Sequence, residues 1–160
     1  MGKDKIVGIF SIQTPQELLR KLEADFARCE ENWADAHAAW NFFVTAYHLA
    51  EWVLVARHSD PKVEKALGRL CNNDNYWKAC RYFANSAKHH ALSDPEKQLA
   101  DHTNTTFVTS LVPRDGASDP SSKPSHKEFQ VRIDGRTYRA SELGEPIMRK
   151  ARKLVNSPPQ

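Results

Sequence analysis

Arg81, Asn85, Lys88 and His89 are spaced so that a helix gathers them on one side. At ~100° per residue, with Arg81 as zero, Asn85 falls at about 40°, His89 at about 80° and Lys88 at about −20°. All four share one arc of ~100°. Side chains of these types can carry phosphodiester chemistry. Histidine ionises nearest to neutral pH, so His89 suits a general acid or base. Lys88 and Arg81 can hold a phosphate and offset the charge that builds in a transition state. Asn85 can orient a phosphate or a ribose hydroxyl. A second polar group, His48 and Glu51, lies three residues apart in an otherwise apolar stretch, where the carboxylate can fix the histidine tautomer. If the two groups meet in one cleft, they suit metal-independent cleavage of RNA. That reaction uses the 2′-hydroxyl as nucleophile and needs a base, an acid and cationic charge, with no cofactor.

Blander readings fit the same residues. Polar side chains at helical spacing also describe a solvated face, and His48 with Glu51 also describes a local hydrogen-bonded pair. A metal-dependent hydrolase built on His48, Glu51 and His89 is a third reading, since two imidazoles and a carboxylate can form an open site. Carboxylate-bridged di-metal bundles need a Glu-x-x-His element on two helices, and here one such pair occurs, in reverse order. The expectation is therefore no metal and no cofactor. The tryptophans read as core, because Trp40 and Trp52 fall on the most apolar segment. Arg132, Arg136 and Arg139 could touch nucleic acid or simply keep an exposed sheet face charged.

The elements that must position these residues are legible. Thr14, Pro15 and Glu17 form a capping-box start for a helix running to about Glu31, with Leu18, Leu22 and Phe26 on one face. A second helix, about Ala34 to His58, is apolar over most of its circumference and must be largely buried. Its polar seam is His37, Asn41, Thr45, His48 and Glu51. Asp60-Pro61 starts a short helix to about Cys71. Asn72-Asn73-Asp74 then supplies the cap for a fourth, about Asn75 to Leu92, whose core side is Tyr76, Cys80, Phe83, Ala87 and Ala91. Ser93-Asp94-Pro95 ends it.

Beyond that point the period shortens. Thr103 to Val112 is rich in β-branched residues and predicts a strand. Phe129, Val131 and Ile133 alternate with polar residues up to Asp134-Gly135, a strong hairpin signal, with Tyr138 and Ala140 beyond it. The last element is an amphipathic helix, about Leu143 to Asn156, with Leu143, Ile147, Ala151 and Leu154 on one face. The fold class is mainly α: a bundle of about four helices (14–92), a small antiparallel hairpin or sheet (103–140) with a flexible loop at 113–127, and a C-terminal helix (143–156). One domain is expected over 1–160.

Composition excludes several classes. Of 160 residues, 40% are apolar and 27% charged, so a packed core forms and global disorder does not. The formal charge is +3. It arises in the second half, where 13 basic residues face 9 acidic ones, against 10 and 11 in the first half. That is mildly basic, short of a protein that coats DNA. No apolar run reaches the ~18 residues of a membrane span, and no secretory signal follows Met1. The three cysteines, Cys29, Cys71 and Cys80, are odd in number and form no Cys-x-x-Cys pair, which excludes a disulfide scaffold or zinc finger and points to the cytoplasm.

The segment Arg81-Tyr82-Phe83-Ala84-Asn85-Ser86-Ala87-Lys88-His89, on the last helix of a small α-bundle, resembles the HEPN superfamily of bacterial domains. The usual motif there is Arg, a polar residue, and His four to six residues after the Arg. Here seven residues separate Arg81 from His89, and Tyr82 replaces the polar residue. The pattern Asn-x-x-Lys-His, with Ala46-Tyr47-His48-Leu49-Ala50-Glu51-Trp52, is more similar to a group of uncharacterised bacterial proteins. The resemblance covers about residues 14–92. It implies an RNA-binding or metal-independent RNA-cleaving domain of a toxin or phage-defence system, with RNA and an antitoxin or defence protein as partners, and a homodimer that joins two motifs in one cleft. On this reading His89 is the acid/base, Arg81 and Lys88 hold phosphate, Asn85 orients, and His48 and Glu51 support. The rival class is a non-catalytic bundle that binds a partner protein or small ligand.

Overall fold

Thr14 caps the first helix as its spacing predicts. The Glu17 N–H donates to Thr14 Oγ1 (3.2 Å) and the Thr14 N–H donates to Glu17 Oε2 (3.0 Å). The computed structural model describes residues 12–57, 60–89, 107–113 and 127–157, and the side chains of 12–57, 62–85 and 128–157. From that cap α1 runs Pro15–Glu31. Next come α2 (Ala36–Arg57), α3 (Asp60–Asn72) and α4 (Asn75–His89). The strands β1 (Phe107–Pro113), β2 (Lys127–Ile133) and β3 (Arg136–Arg139) precede α5 (Ala140–Asn156). The protein is mainly helical: a four-helix bundle, a small antiparallel sheet and a C-terminal helix.

Local chemistry explains most boundaries. Asp35 Oδ1 accepts the N–H groups of His37 (2.9 Å) and Ala38 (3.1 Å), so α2 begins after the carboxylate and not at Ala34. Asp74 Oδ1 accepts from Tyr76 (2.9 Å) and Trp77 (3.4 Å) and starts α4. That helix is described to His89, and the expected extension to Leu92 and the stop at Ser93 lie outside the described residues. So does most of the loop expected at 113–127. β1 is described from Phe107, and its expected start at Thr103 lies outside the described residues. α5 begins a turn earlier than its apolar pattern suggests, because Glu142 Oε2 accepts the Arg139 N–H (2.8 Å) and joins the helix directly to β3.

The sheet has the order β1-β2-β3, antiparallel throughout. Val131 pairs with Tyr138 and Ile133 with Arg136 across a two-residue turn. Asp134 (φ 48°) and Gly135 (φ 79°) are both left-handed there, which matches the twist a two-residue hairpin needs. An irregularity between Val108 and Leu111 shifts the β1–β2 register.

α2 is the centre of the core. Phe42, Phe43, Ala46, Leu49 and Ala50 are wholly buried, and α1, α3, α4 and α5 all pack on this helix. Thr45 leaves the expected polar seam. It is buried against α1, where its hydroxyl donates to Asp25 Oδ2 (3.0 Å) and accepts from Lys21 Nζ (2.8 Å). At the far end Trp33 is buried against Phe26 and Phe42, and Gly144 lets α5 approach it: a Cβ at 144 would lie 2.7 Å from the indole. Glu128, fully buried, is held by Arg139 Nη1 (3.3 Å) and the Ser141 N–H (3.2 Å).

Candidate functional site

The contact between α2 and α4 decides which candidate residues meet. Phe83 stacks on Phe43 with ring centroids 4.4 Å apart and planes 7° from parallel, and meets Trp40 edge-on at 5.9 Å. Arg81, two residues earlier on α4, lies close enough to Tyr47, four residues later on α2 than Phe43, to act on its charge. The two helices therefore run antiparallel through this contact.

Helix geometry then divides the six candidates. His89 is six residues beyond Phe83, about 9 Å further along α4 at ~1.5 Å per residue. His48 is five residues beyond Phe43, about 7.5 Å in the opposite sense. The single cleft expected to join His48 and Glu51 to Lys88 and His89 would thus have to bridge some 16 Å along the bundle. Arg81 stands at the level of the α2 turn that holds Tyr47 and His48. Asn85 is half-buried between the two levels. Lys88 and His89 close the described part of α4, beside the level of α2's first turns.

On the Arg81 side lie His48, Glu51 and Tyr47 of α2. His48 Nδ1 lies 3.1 Å from Glu51 Oε2, and both side chains are a little over a third exposed. Tyr47 is buried beside them. Burial is the largest cause raising its phenol above the ordinary value, the negative charges of Cys71 and Glu51 add to the rise, and the Arg81 guanidinium opposes it. Arg81 itself is steadied by Asn72, its Nη1 donating to Oδ1 at 3.2 Å. Tyr47 was not singled out from the sequence, since its place in the apolar stripe hides a phenol whose ionisation Glu51 and Arg81 influence.

On the other side of the contact the surface is apolar. Ala36, Ala39, Trp40 and Phe43 of α2, Phe83 of α4, and Phe129 and Val131 of β2 line a recess of about 190 Å³, open on one side. Trp40 is 36% exposed at this recess, so the expectation that it is a core residue is corrected. Its helix position is set by Phe42 and Phe43, which take the inward directions and leave the indole at the edge. Trp33 and Trp77 are the buried tryptophans, and Trp52 is half-buried.

Among the described residues no three His, Cys, Asp or Glu side chains are grouped to hold a metal ion. Cys29, Cys71 and Cys80 are buried and unpaired. Burial pushes the Cys29 thiol up to about 12 and Cys71 to about 11, and Cys80 rises well above its usual value from the same cause. They are protonated and poor nucleophiles at neutral pH. No described helix is long and apolar enough to cross a membrane. Comparisons with protein-family models, with curated proteins and with solved structures find no match to this chain.

Proposed function

We propose that this chain is a HEPN-like domain that binds single-stranded RNA and cleaves it without a metal ion. The observation that carries the reading is the His48–Glu51 pair, 3.1 Å apart on α2, at the turn whose Tyr47 is influenced by the charge of Arg81 on α4. An anion held by Arg81 would sit next to an imidazole whose tautomer is fixed by a carboxylate. Glu51 engages Nδ1, so Nε2 is the nitrogen that exchanges a proton with substrate. In this scheme His48 takes the proton from a ribose 2′-hydroxyl, and the 2′-oxygen bonds to phosphorus. The bond from phosphorus to the 5′-oxygen breaks, and solvent protonates the leaving oxygen. The products are a 2′,3′-cyclic phosphate and a 5′-hydroxyl. Arg81 offsets the charge gained by the non-bridging oxygens.

The central base is therefore assigned to His48 and not to His89. Asn85 and Lys88 continue the polar side of α4 and would meet the strand further along. Three unpaired thiols suit a reducing compartment, which supports a cytoplasmic setting. A homodimer and an antitoxin or defence protein as partner remain part of the proposal through the family resemblance.

The test is incubation of the purified protein with a mixed tRNA and mRNA pool in EDTA, followed by mapping of the ends. Cyclic phosphates at discrete sites support the reading. Intact RNA with a folded protein would overturn the enzymatic claim, and a filter-binding assay on the same sample then tests whether RNA binding survives alone.

A further inference from the structure

We infer that the recess between α2, α4 and β2 is a binding site for a small, neutral aromatic molecule of one or two rings. This stands apart from the phosphodiester reading and uses none of its residues. Size comes first. The recess measures about 190 Å³. An apolar cavity of ~150 Å³ already holds benzene, whereas a docked peptide helix needs an extended groove.

Chemistry narrows the guest further. The lining offers carbon almost everywhere: two alanine methyls, Val131, and the rings of Trp40, Phe43, Phe83 and Phe129. The Phe43–Phe83 stack fixes the floor, and Trp40 stands at 89° to Phe83 with its indole partly exposed. A flat ring entering here can pack edge-to-face on these aromatics, the arrangement their quadrupoles favour. A nucleobase or a peptide backbone would bring donors and acceptors to walls that cannot satisfy them, at a desolvation cost. Apolar guests carry no such penalty. Trp40, one of two large hydrophobic side chains exposed among the described residues, borders this recess.

Toluene and indole serve as probes, with adenosine as the polar-edged competitor. Titration of the full chain, followed by ligand-observed NMR and by methyl shifts, should give saturable binding of both probes. Shifts should be confined to Ala36, Ala39 and Val131. Ala36→Phe puts a ring into the mouth from an exposed position and should weaken binding at least tenfold, while Val55→Ala leaves it unchanged. If Ala36→Phe fails to fold, Ala39→Val replaces it, and the wild-type methyl shifts stand on their own. Absence of saturable binding, shifts elsewhere in the core, or displacement of the probes by adenosine at equal concentration would each overturn the assignment.

Discussion

Glu51 holds His48 by its Nδ1 across one turn of α2, with 3.1 Å between the nitrogen and Oε2. The pair is half-exposed, so as an isolated ion pair it contributes about 1 kcal/mol or less to stability. Its consequence is directional. The carboxylate fixes which ring nitrogen faces outward, beside Tyr47, whose phenol is influenced by the charge of Arg81 on α4.

The Tyr47 phenol reports on that arrangement. Ultraviolet titration should find it ionising above the usual tyrosine range, because burial disfavours the phenolate. A positive charge stabilises the phenolate and a negative one destabilises it. Arg81→Ala should therefore raise the Tyr47 pKa further, and Glu51→Gln should lower it. Arg81→Lys should fall between wild type and alanine. Equal values in all four proteins would mean that Arg81 and Glu51 do not face this hydroxyl.

The buried thiols predict an alkaline weakness. Cys29 and Cys71 ionise near 9 when unfolded and near 12 and 11 when folded. Between those values the unfolded state has lost protons that the native state retains, so stability falls as pH rises. Each such thiol contributes a slope of up to about 1.4 kcal/mol per pH unit. Urea unfolding from pH 8 to pH 11 should show the decline beginning near pH 9, and Cys71→Ser should reduce its steepness. Native protein at pH 8 should react with a thiol reagent only at its unfolding rate.

Packing at Gly144 is equally testable. A methyl there would lie 2.7 Å from the Trp33 ring and 2.8 Å from Phe26. Trp33 is buried and its indole N–H donates to Glu30 Oε1 (2.9 Å), so the ring cannot swing clear without losing that bond. Gly144→Ala should destabilise the fold by about 1–3 kcal/mol despite the better helix propensity of alanine. Chemical denaturation measures it. A gain in stability would show that the α1–α5 spacing relaxes freely.

Arg57 ties the end of α2 to the end of α5. Its Nη2 donates to the Leu154 carbonyl (2.5 Å) and to the Ser157 carbonyl (2.6 Å), oxygens left without helical donors at the C-terminus. Arg57→Ala should cost about 1–3 kcal/mol, and hydrogen exchange should accelerate in the last turn of α5 while α1 is unaffected. Arg57→Lys should recover part of the loss, since one ammonium can still donate there.

Elements with local signals were legible in the chain. Thr14-Pro15-x-Glu17, Asp60-Pro61 and Asp134-Gly135 encode caps and a turn within a few residues, and each element begins or turns where they stand. The uniformly apolar α2 was correctly read as central. Its facing was not. Thr45 lies in the seam by spacing, yet Asp25 and Lys21 draw it against α1, a pairing across twenty residues that periodicity does not contain. Trp40 reads as core by type and stands at an edge, because β2 and α4 leave a recess there. The grouping of the candidate site residues was likewise not legible. One helical wheel shows that Arg81 and His89 share a face, but the antiparallel crossing on α2 decides which of them stands at the level of His48.

The central claim is that His48, positioned by Glu51, is the base, with Arg81 as the phosphate ligand. The most direct measurement is the rate of cyclic-phosphate formation from single-stranded RNA in EDTA by wild type, His48→Ala and His89→Ala, each checked for an unchanged melting temperature. His48→Ala should lose about 10²–10⁴-fold, the usual contribution of a general base, and His89→Ala should lose less than tenfold. Full activity in His48→Ala, with activity abolished in His89→Ala, would contradict the assignment and move the chemistry to the far end of α4.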